Sequence, residues 1–274
     1  MKSNVYNIHE GEDGLRWLSF PDFDSAGMIN GISTRHGGAS KGYFGEMNFS
    51  RKVGDDPAAV AENYRIFTNA LGSSPDSCVA SMQTHTAKVM IVTEKDAGSG
   101  VTREHGYSDV DGLVTNVPNI LLVIHTADCV PVFLAEKSGK AVALVHSGWR
   151  GTVSKISAVA IEKMKNEFGC DPKDIICGIG PAICKDCFEV DKPVVDEFCG
   201  IGFDESKIIR KRDGVKWDID LTEAVRETLM SSGIPNENIT VGDLCTVCNH
   251  NDLHSHRATG GKRGVIGSFL GIKK

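Results

Sequence analysis

The sequence predicts a mixed α/β (α+β) fold: layered mixed β-sheets flanked by helices, in one domain spanning residues 1–274. Three observations predict it. Eight short apolar runs rich in β-branched residues read as strands, and three longer stretches carry helix start and stop signals. The two kinds of element do not alternate strictly enough for a pure βαβ wind, and no Pro/Ser-rich linker or internal repeat divides the chain.

Met28–Ser33 is the first strand run. Asp55-Asp56-Pro57 then offers a capping carboxylate and a proline for a helix that runs to Leu71 and stops at Gly72. Strands follow at Lys88–Val92, Asp111–Thr115, Ile120–Ile124, Val130–Leu134 and Ala141–Val145. Several are continuously apolar, as strands covered on both faces are. From Thr152 to Phe168, apolar side chains recur at Val153, Ile156, Val159, Ala160, Met164 and Phe168 before Gly169, which predicts one continuous helix. A third helix, capped by Asp220 and ending near Met230, lies between strand runs Ile175–Ile179 and Ile239–Gly242. Residues 35–48, 96–109 and 249–264 are glycine-rich and polar, and read as the loops where sites concentrate.

Composition narrows the function. A net charge of −6 with scattered lysines and arginines gives no basic footprint, which argues against nucleic acid and for a small-molecule ligand. Without a long apolar run or an apolar N-terminal segment, neither a membrane span nor a secretory signal is expected, and the cytoplasm is the expected location. Nine cysteines, an odd number in a chain of this kind, read as reduced thiols available for metal binding, catalysis or burial.

The segment HTADCVPVFLAEKSGKAVALVHSGWRGT places soft, ionisable side chains at the margins of two apolar runs. Cys129 and His146 could be brought together by neighbouring strands, and His85 sits in QTHTAKV just before another. One thiolate with two imidazoles suits zinc and leaves a fourth coordination position open. Separations of 44 and 17 residues match no local zinc motif, so the spacing leaves a buried thiol and packed histidines as the commoner outcome. His125, four residues before Cys129, ranks below His146 because its run reads as strand. Cys184-Lys-Asp-Cys187 and Cys245-Thr-Val-Cys248 form a second possible metal site of two C-x-x-C units, but the gap between them is far longer than in a common zinc ribbon, so separate buried or loop thiols are the commoner outcome and a structural zinc the alternative. GWRGT opens a helix, where free N–H groups and Arg150 would suit an anion; the alternative is a tight turn over a packed Trp149. Arg35, Arg257, Lys262 and Arg263 add cations on glycine-rich loops.

Taken in order, QTH, DGLVTN, TADCVPV, HSGWRGT, GIGPAICKDCFEV and SHRATGGKRG resemble the motif series of the laccase-domain family, the bacterial YfiH and YlmD type. The resemblance runs from about Arg35 almost to the C-terminus. It implies a single α/β domain and one zinc held by His85, Cys129 and His146. It also implies purine nucleoside phosphorolysis (adenosine, inosine, guanosine, methylthioadenosine), adenosine deamination and, in a copper form, polyphenol oxidation. Four-copper chemistry needs repeated His-x-His pairs, and nine histidines with one such pair do not supply them. A non-enzymatic zinc or nucleotide-binding module is the remaining alternative. On this reading His85, Cys129, His146 and Asp128 are the catalytic candidates, with Asp111 as an alternative acid/base or orienting group. Arg35, Arg150 and Arg257 would bind phosphate, and Asn48 the ribose or base. Three motifs depart from the family pattern: Ser255-His256-Arg257, Gly261-Lys262-Arg263 and Gly180-Pro181-Ala182-Ile183-Cys184. The departures bear on the substrate pocket rather than on the metal ligands. The expected assembly is a monomer or small homo-oligomer.

Overall fold

A computed structural model describes residues 1–212 and 214–273. Its strands form two large sheets and a small one. The first large sheet has the order β1 (Asn7–Glu10), β2 (Arg16–Ser19), β3 (Met28–Ser33), β15 (Ile266–Ile272), β7 (Leu121–Thr126) and β4 (Cys78–Ala80). The second runs β14 (Ile239–Val241), β10 (Ile175–Ile179), β8 (Val130–Glu136), β9 (Val142–Ser147), β6 (Gly112–Thr115) and β5 (Val89–Ile91). β4 with β7, β5 with β6, and β10 with β14 pair in parallel; the other neighbours are antiparallel. The small sheet is β11 (Glu189–Asp191), β13 (Lys216–Ile219) and β12 (Ile209–Lys211).

The layering follows from the two-residue period of a strand. On β7, Leu122 and Ile124 face the second sheet, where they join Phe133, Ala135, Val142 and Leu144 in an inter-sheet core. Leu121 and Val123 face the other way, onto Val60, Tyr64 and Phe67 of α2 (Pro57–Ala70). On β8, Val130, Val132 and Leu134 pack against α4 (Ile156–Phe168) and α7 (Leu221–Ser231). The result is helix, sheet, sheet, helices, with both sheets covered on both faces, as the continuous apolar runs require. The short helices α1 (Pro21–Ser25), α3 (Trp149–Val153), α5 (Lys192–Phe198), α6 (Glu205–Ile208) and α8 (His256–Thr259) serve as connections.

All eight sequence-derived strand runs fall on observed strands, with ends shifted by a residue or two. The Asp56 carboxylate caps α2 by accepting from the Ala58 N–H, and Asp220 caps α7 by accepting from Glu223. One expectation is corrected. Thr152–Phe168 is not a single helix, because α3 ends at Val153 and Lys155 takes a left-handed conformation (φ 53°) before α4 begins. The Thr152 hydroxyl bonds the Ser147 hydroxyl and the Gly148 carbonyl, holding α3 to the end of β9 instead of in line with α4. Val153 and Ile156 still reach the same core, which is why the periodicity runs through the break.

Candidate active site

His85, Cys129 and His146 converge. Each offers a ligand atom, and these atoms all lie within 4.8 Å of one another. Cys129 immediately precedes β8, and His146 stands near the end of β9; the register Val130↔Ser147 and Pro131↔His146 makes them neighbours. His85 comes from the loop before β5, with φ 65°.

Asp111, fully buried ahead of β6, builds this corner. Its carboxylate accepts the backbone N–H groups of Thr84, His85 and Thr86 at 3.1, 3.0 and 2.8 Å, so it fixes the left-handed turn that carries His85. It also meets His146 Nδ1 at 2.7 Å. That bond assigns one proton to Nδ1 and turns Nε2 toward Cys129, the orientation in which a carboxylate backs a metal-binding histidine. Burial works against a charge on His146, but Cys129 and Asp111 raise it to about 9, so a metal would displace the Nε2 proton. Burial works against a charge on Asp111, yet the bonds from His146, Thr86 and Thr84 hold it down at about 2. Burial would likewise raise the Cys129 thiol, but His146 and His85 beside it bring it down to about 6. A thiolate close to neutral pH and two imidazoles make a donor set that fits a borderline-soft divalent cation. Gly148 makes room for it: a Cβ there would lie 2.7 Å from His85 Cδ2 and 3.2 Å from Cys129 Sγ.

A cavity of about 1030 Å³ opens on these three residues. Its walls include Tyr64, Gln83, His105, Phe188, Arg257 and Arg263. His125 also lines it, but Nε2 is bonded to the Tyr64 hydroxyl at 2.7 Å and the ring stands outside the metal-binding group. Burial pushes His125 down to about 3, so it is neutral at physiological pH.

The other expected site residues divide. Asp128 lines the cavity, but its carboxylate is engaged, accepting from the Thr246 hydroxyl at 2.6 Å and the Arg257 N–H at 2.7 Å. Arg257 lines the cavity while its guanidinium donates to the carbonyls of Cys187 and Glu189, both at 3.0 Å. The structure does not bring Arg35, Asn48 or Arg150 to the cavity. Arg35 donates to the His250 carbonyl and lines a separate groove with His36 and Glu46. Asn48 is fully buried; it donates to Asp55 and Ser50 and accepts from Ser50 and Val265, a loop-holding role. Arg150 is exposed and stacks on its neighbour Trp149 at 4.1 Å, and GWRGT forms the start of the short helix α3.

Two features stand out more in the structure than in the sequence. Arg263 is half-buried in the cavity wall, and its Nε finds no hydrogen-bond partner among the described residues. Burial lowers its pKa against the pull of Asp128 and Cys129. Its only signal was one more cation in GGKRG. Cys184, Cys187, Cys245 and Cys248, expected to stand apart, form a second group with all four sulfurs within 4.8 Å of one another.

Residues 29–273 match the family described as multi-copper polyphenol oxidoreductase laccase. The chain belongs to this family. It is 34% identical to a purine nucleoside phosphorylase of Bacteroides thetaiotaomicron, over 94% of this chain and 97% of that one. It is 35% identical to purine nucleoside phosphorylase YlmD of Geobacillus stearothermophilus, over 96% and 97%. The crystal structure of that YlmD superposes with a TM-score of 0.90 at 34% identity, covering 97% of this chain and 99% of the other. Adenosine deaminase RL5, from an unknown prokaryotic organism, is 32% identical over 93% and 98%. No helix among the described residues is long and apolar enough to cross a membrane.

Proposed function

We propose that this family member is a zinc-dependent cytoplasmic enzyme of purine nucleosides: a phosphorylase for adenosine, inosine, guanosine and methylthioadenosine that also deaminates adenosine. The observation that carries the reading is the His85–Cys129–His146 set opening on a cavity large enough for a nucleoside. The names of the relatives agree with it. His85, Cys129 and His146 would hold the zinc, which when bound would supply a Lewis acid to the cavity.

The chain's own residues supply the rest. Asp111 orients His146 and the turn bearing His85. Arg263, with its unpaired Nε, is the best-placed cation for phosphate, and Arg257 stands beside the same wall. Phe188 offers an apolar face for a purine, and Gln83 and His105 stand in the cavity wall among its polar side chains. Asp128 serves as a positioning residue, holding Arg257 and Thr246 in place. Arg35, Asn48 and Arg150 are not among the residues lining the cavity, so this reading assigns them no substrate contact. A copper polyphenol oxidase gains no support from the histidines, since among the described residues only His85 and His146 stand together in a metal-binding group.

The test is product analysis of the zinc-loaded protein with adenosine and with inosine, with and without phosphate. Phosphorolysis should give free purine and ribose 1-phosphate only when phosphate is present; deamination should give inosine without it. His85→Ala should lose deamination. Finding neither product at substrate up to about a millimolar, the upper end of common Michaelis constants, would overturn the reading.

A further inference from the structure

The two C-x-x-C units lie outside the site just described, and the fold explains how they meet. β10 and β14 are parallel neighbours, with Cys177↔Ile239 and Ile179↔Val241 in register, so both chains leave the sheet at the same end. The pairing continues beyond the strands. The Gly242 N–H donates to the Ile179 carbonyl at 2.8 Å, the Thr246 N–H donates to the Ala182 carbonyl at 3.0 Å, and Ala182 bridges Cys245. Cys184 and Cys187 thus arrive from one chain and Cys245 and Cys248 from the other. Cys187 Sγ and Cys248 Sγ are 3.7 Å apart, and the Cys184 N–H points at Cys245 Sγ from 3.3 Å.

We propose that Cys184, Cys187, Cys245 and Cys248 hold a zinc ion in an all-thiolate tetrahedral site, structural in role and separate from the His85–Cys129–His146 centre. Zn–S bonds of about 2.3 Å place tetrahedral sulfurs about 3.8 Å apart; Cys187 and Cys248 at 3.7 Å match that spacing, and all four sulfurs lie within 4.8 Å of one another. Four protein ligands close the coordination shell, so the ion has no open position for substrate. An iron–sulfur cluster needs wider thiolate spacing, because several irons and sulfides must fit between the ligands. Two disulfides need only two close pairs, whereas here all four sulfurs converge on one centre, and all four thiols are free.

The ion would brace a wall of the active-site cavity. The first unit leads directly into Phe188, and its Cys187 carbonyl accepts from Arg257. The second contains Thr246, whose hydroxyl bonds Asp128, next to Cys129. Cross-linking the two units fixes Phe188 and Arg257 against the segment that presents Cys129.

The inference does not depend on the nucleoside reading, and its test needs no substrate. Wild-type protein purified without added metal should carry two zinc ions per chain and Cys129→Ala one. X-ray absorption of the Cys129→Ala protein should show four sulfurs around its zinc. Cys248→Ser, at the most exposed ligand, should lose that ion while keeping the other. Three results would overturn the proposal: zinc-free Cys129→Ala protein, nitrogen or oxygen ligands in its zinc shell, or a non-reduced intact mass lighter by the hydrogens of a disulfide among these four cysteines. If Cys248→Ser fails to fold, the Cys129→Ala measurements decide alone.

Discussion

Gly148→Ala is a one-carbon probe of the His85–Cys129–His146 centre. Gly148 has φ −71° and ψ 171°, extended backbone that alanine adopts freely, so no conformational strain is expected. The added Cβ would lie 2.7 Å from His85 Cδ2. Carbon–carbon contacts sit near 3.5 Å or beyond, so something must yield by about 0.8 Å. The His85 ring will move, because it is exposed on a loop while Gly148 is buried at the end of β9. Metal–ligand distances tolerate about 0.2 Å, so this displacement detaches or strains a ligand. The expected loss in zinc affinity is about 10- to 100-fold, the range for disturbing a ligand's support, or roughly 1.4–2.7 kcal/mol. Competition with a chromophoric chelator measures it directly. Metal-free stability should stay level or rise by about 0.4–1 kcal/mol, since alanine restricts the unfolded chain. Wild-type zinc affinity in Gly148→Ala would refute the assignment of His85 as a ligand at this position. A large loss of metal-free stability would mean that Gly148 serves folding instead.

Asp111→Asn removes the charge that three backbone N–H groups and His146 share. Chemical denaturation in chelator should show a loss of about 1.5–3 kcal/mol, the range for hydrogen bonds to a charged group, together with weaker zinc binding; unchanged values for both would remove Asp111 from its positioning role. Arg263→Ala should lower phosphorolysis far more than deamination, read as product ratios with and without phosphate, because only one reaction binds the anion; equal losses would make Arg263 structural. Stability should also fall in acid. His254 is 1% exposed and burial pushes it from 6.5 down to about 3, as burial does for His125. The unfolded chain therefore takes these protons first, so their contribution is full above 6.5 and is lost as pH falls, by about 2 kcal/mol per histidine near pH 5. Denaturation midpoints across that range should decline less steeply in His254→Gln, and an unchanged slope would refute the burial argument.

Much of the fold was legible locally. Continuous apolar runs gave the covered strands, and Asp56 and Asp220 gave helix starts, because both signals are written within a few residues. What was not legible depended on partners far along the chain. β15 sits in the middle of its sheet, yet its sequence IGSFLGI contains two glycines that depress strand propensity. The fold requires them: a Cβ at Gly267 would lie 2.7 Å from Phe49, and one at Gly271 2.6 Å from the Ile120 carbonyl oxygen. The break at Lys155 escaped notice because the core reads Val153 and Ile156 as one face. The His85–Cys129–His146 grouping came from the family motifs, since its spacing fits no local rule. The two C-x-x-C units were legible as possible ligand pairs, but their meeting depends on β10 lying parallel to β14, which no local spacing shows.

The second sheet also explains why two candidate metal-binding groups and a cavity share one region. His85 and Asp111 precede β5 and β6, His146 lies near the end of β9, and Cys129 precedes β8. Cys184 and Cys245 follow β10 and β14. Given the pairing directions, all of these are the same end of the sheet. The four central strands behind that end, β6, β8, β9 and β10, are buried along their whole length, so they form a rigid mount while the chemistry sits on the turns. Asp128 joins the two groups across this end. Its backbone (φ 95°) turns the chain into Cys129, its carbonyl accepts the Ile183 N–H at 2.9 Å, and its carboxylate accepts from Thr246 and Arg257. Every one of those donors lies beside or between the two C-x-x-C units or on the segment that follows them. A carboxylate so fully engaged is better suited to transmit position than to move protons, which favours a bracing role for Asp128 beside Cys129 over that of an acid or base.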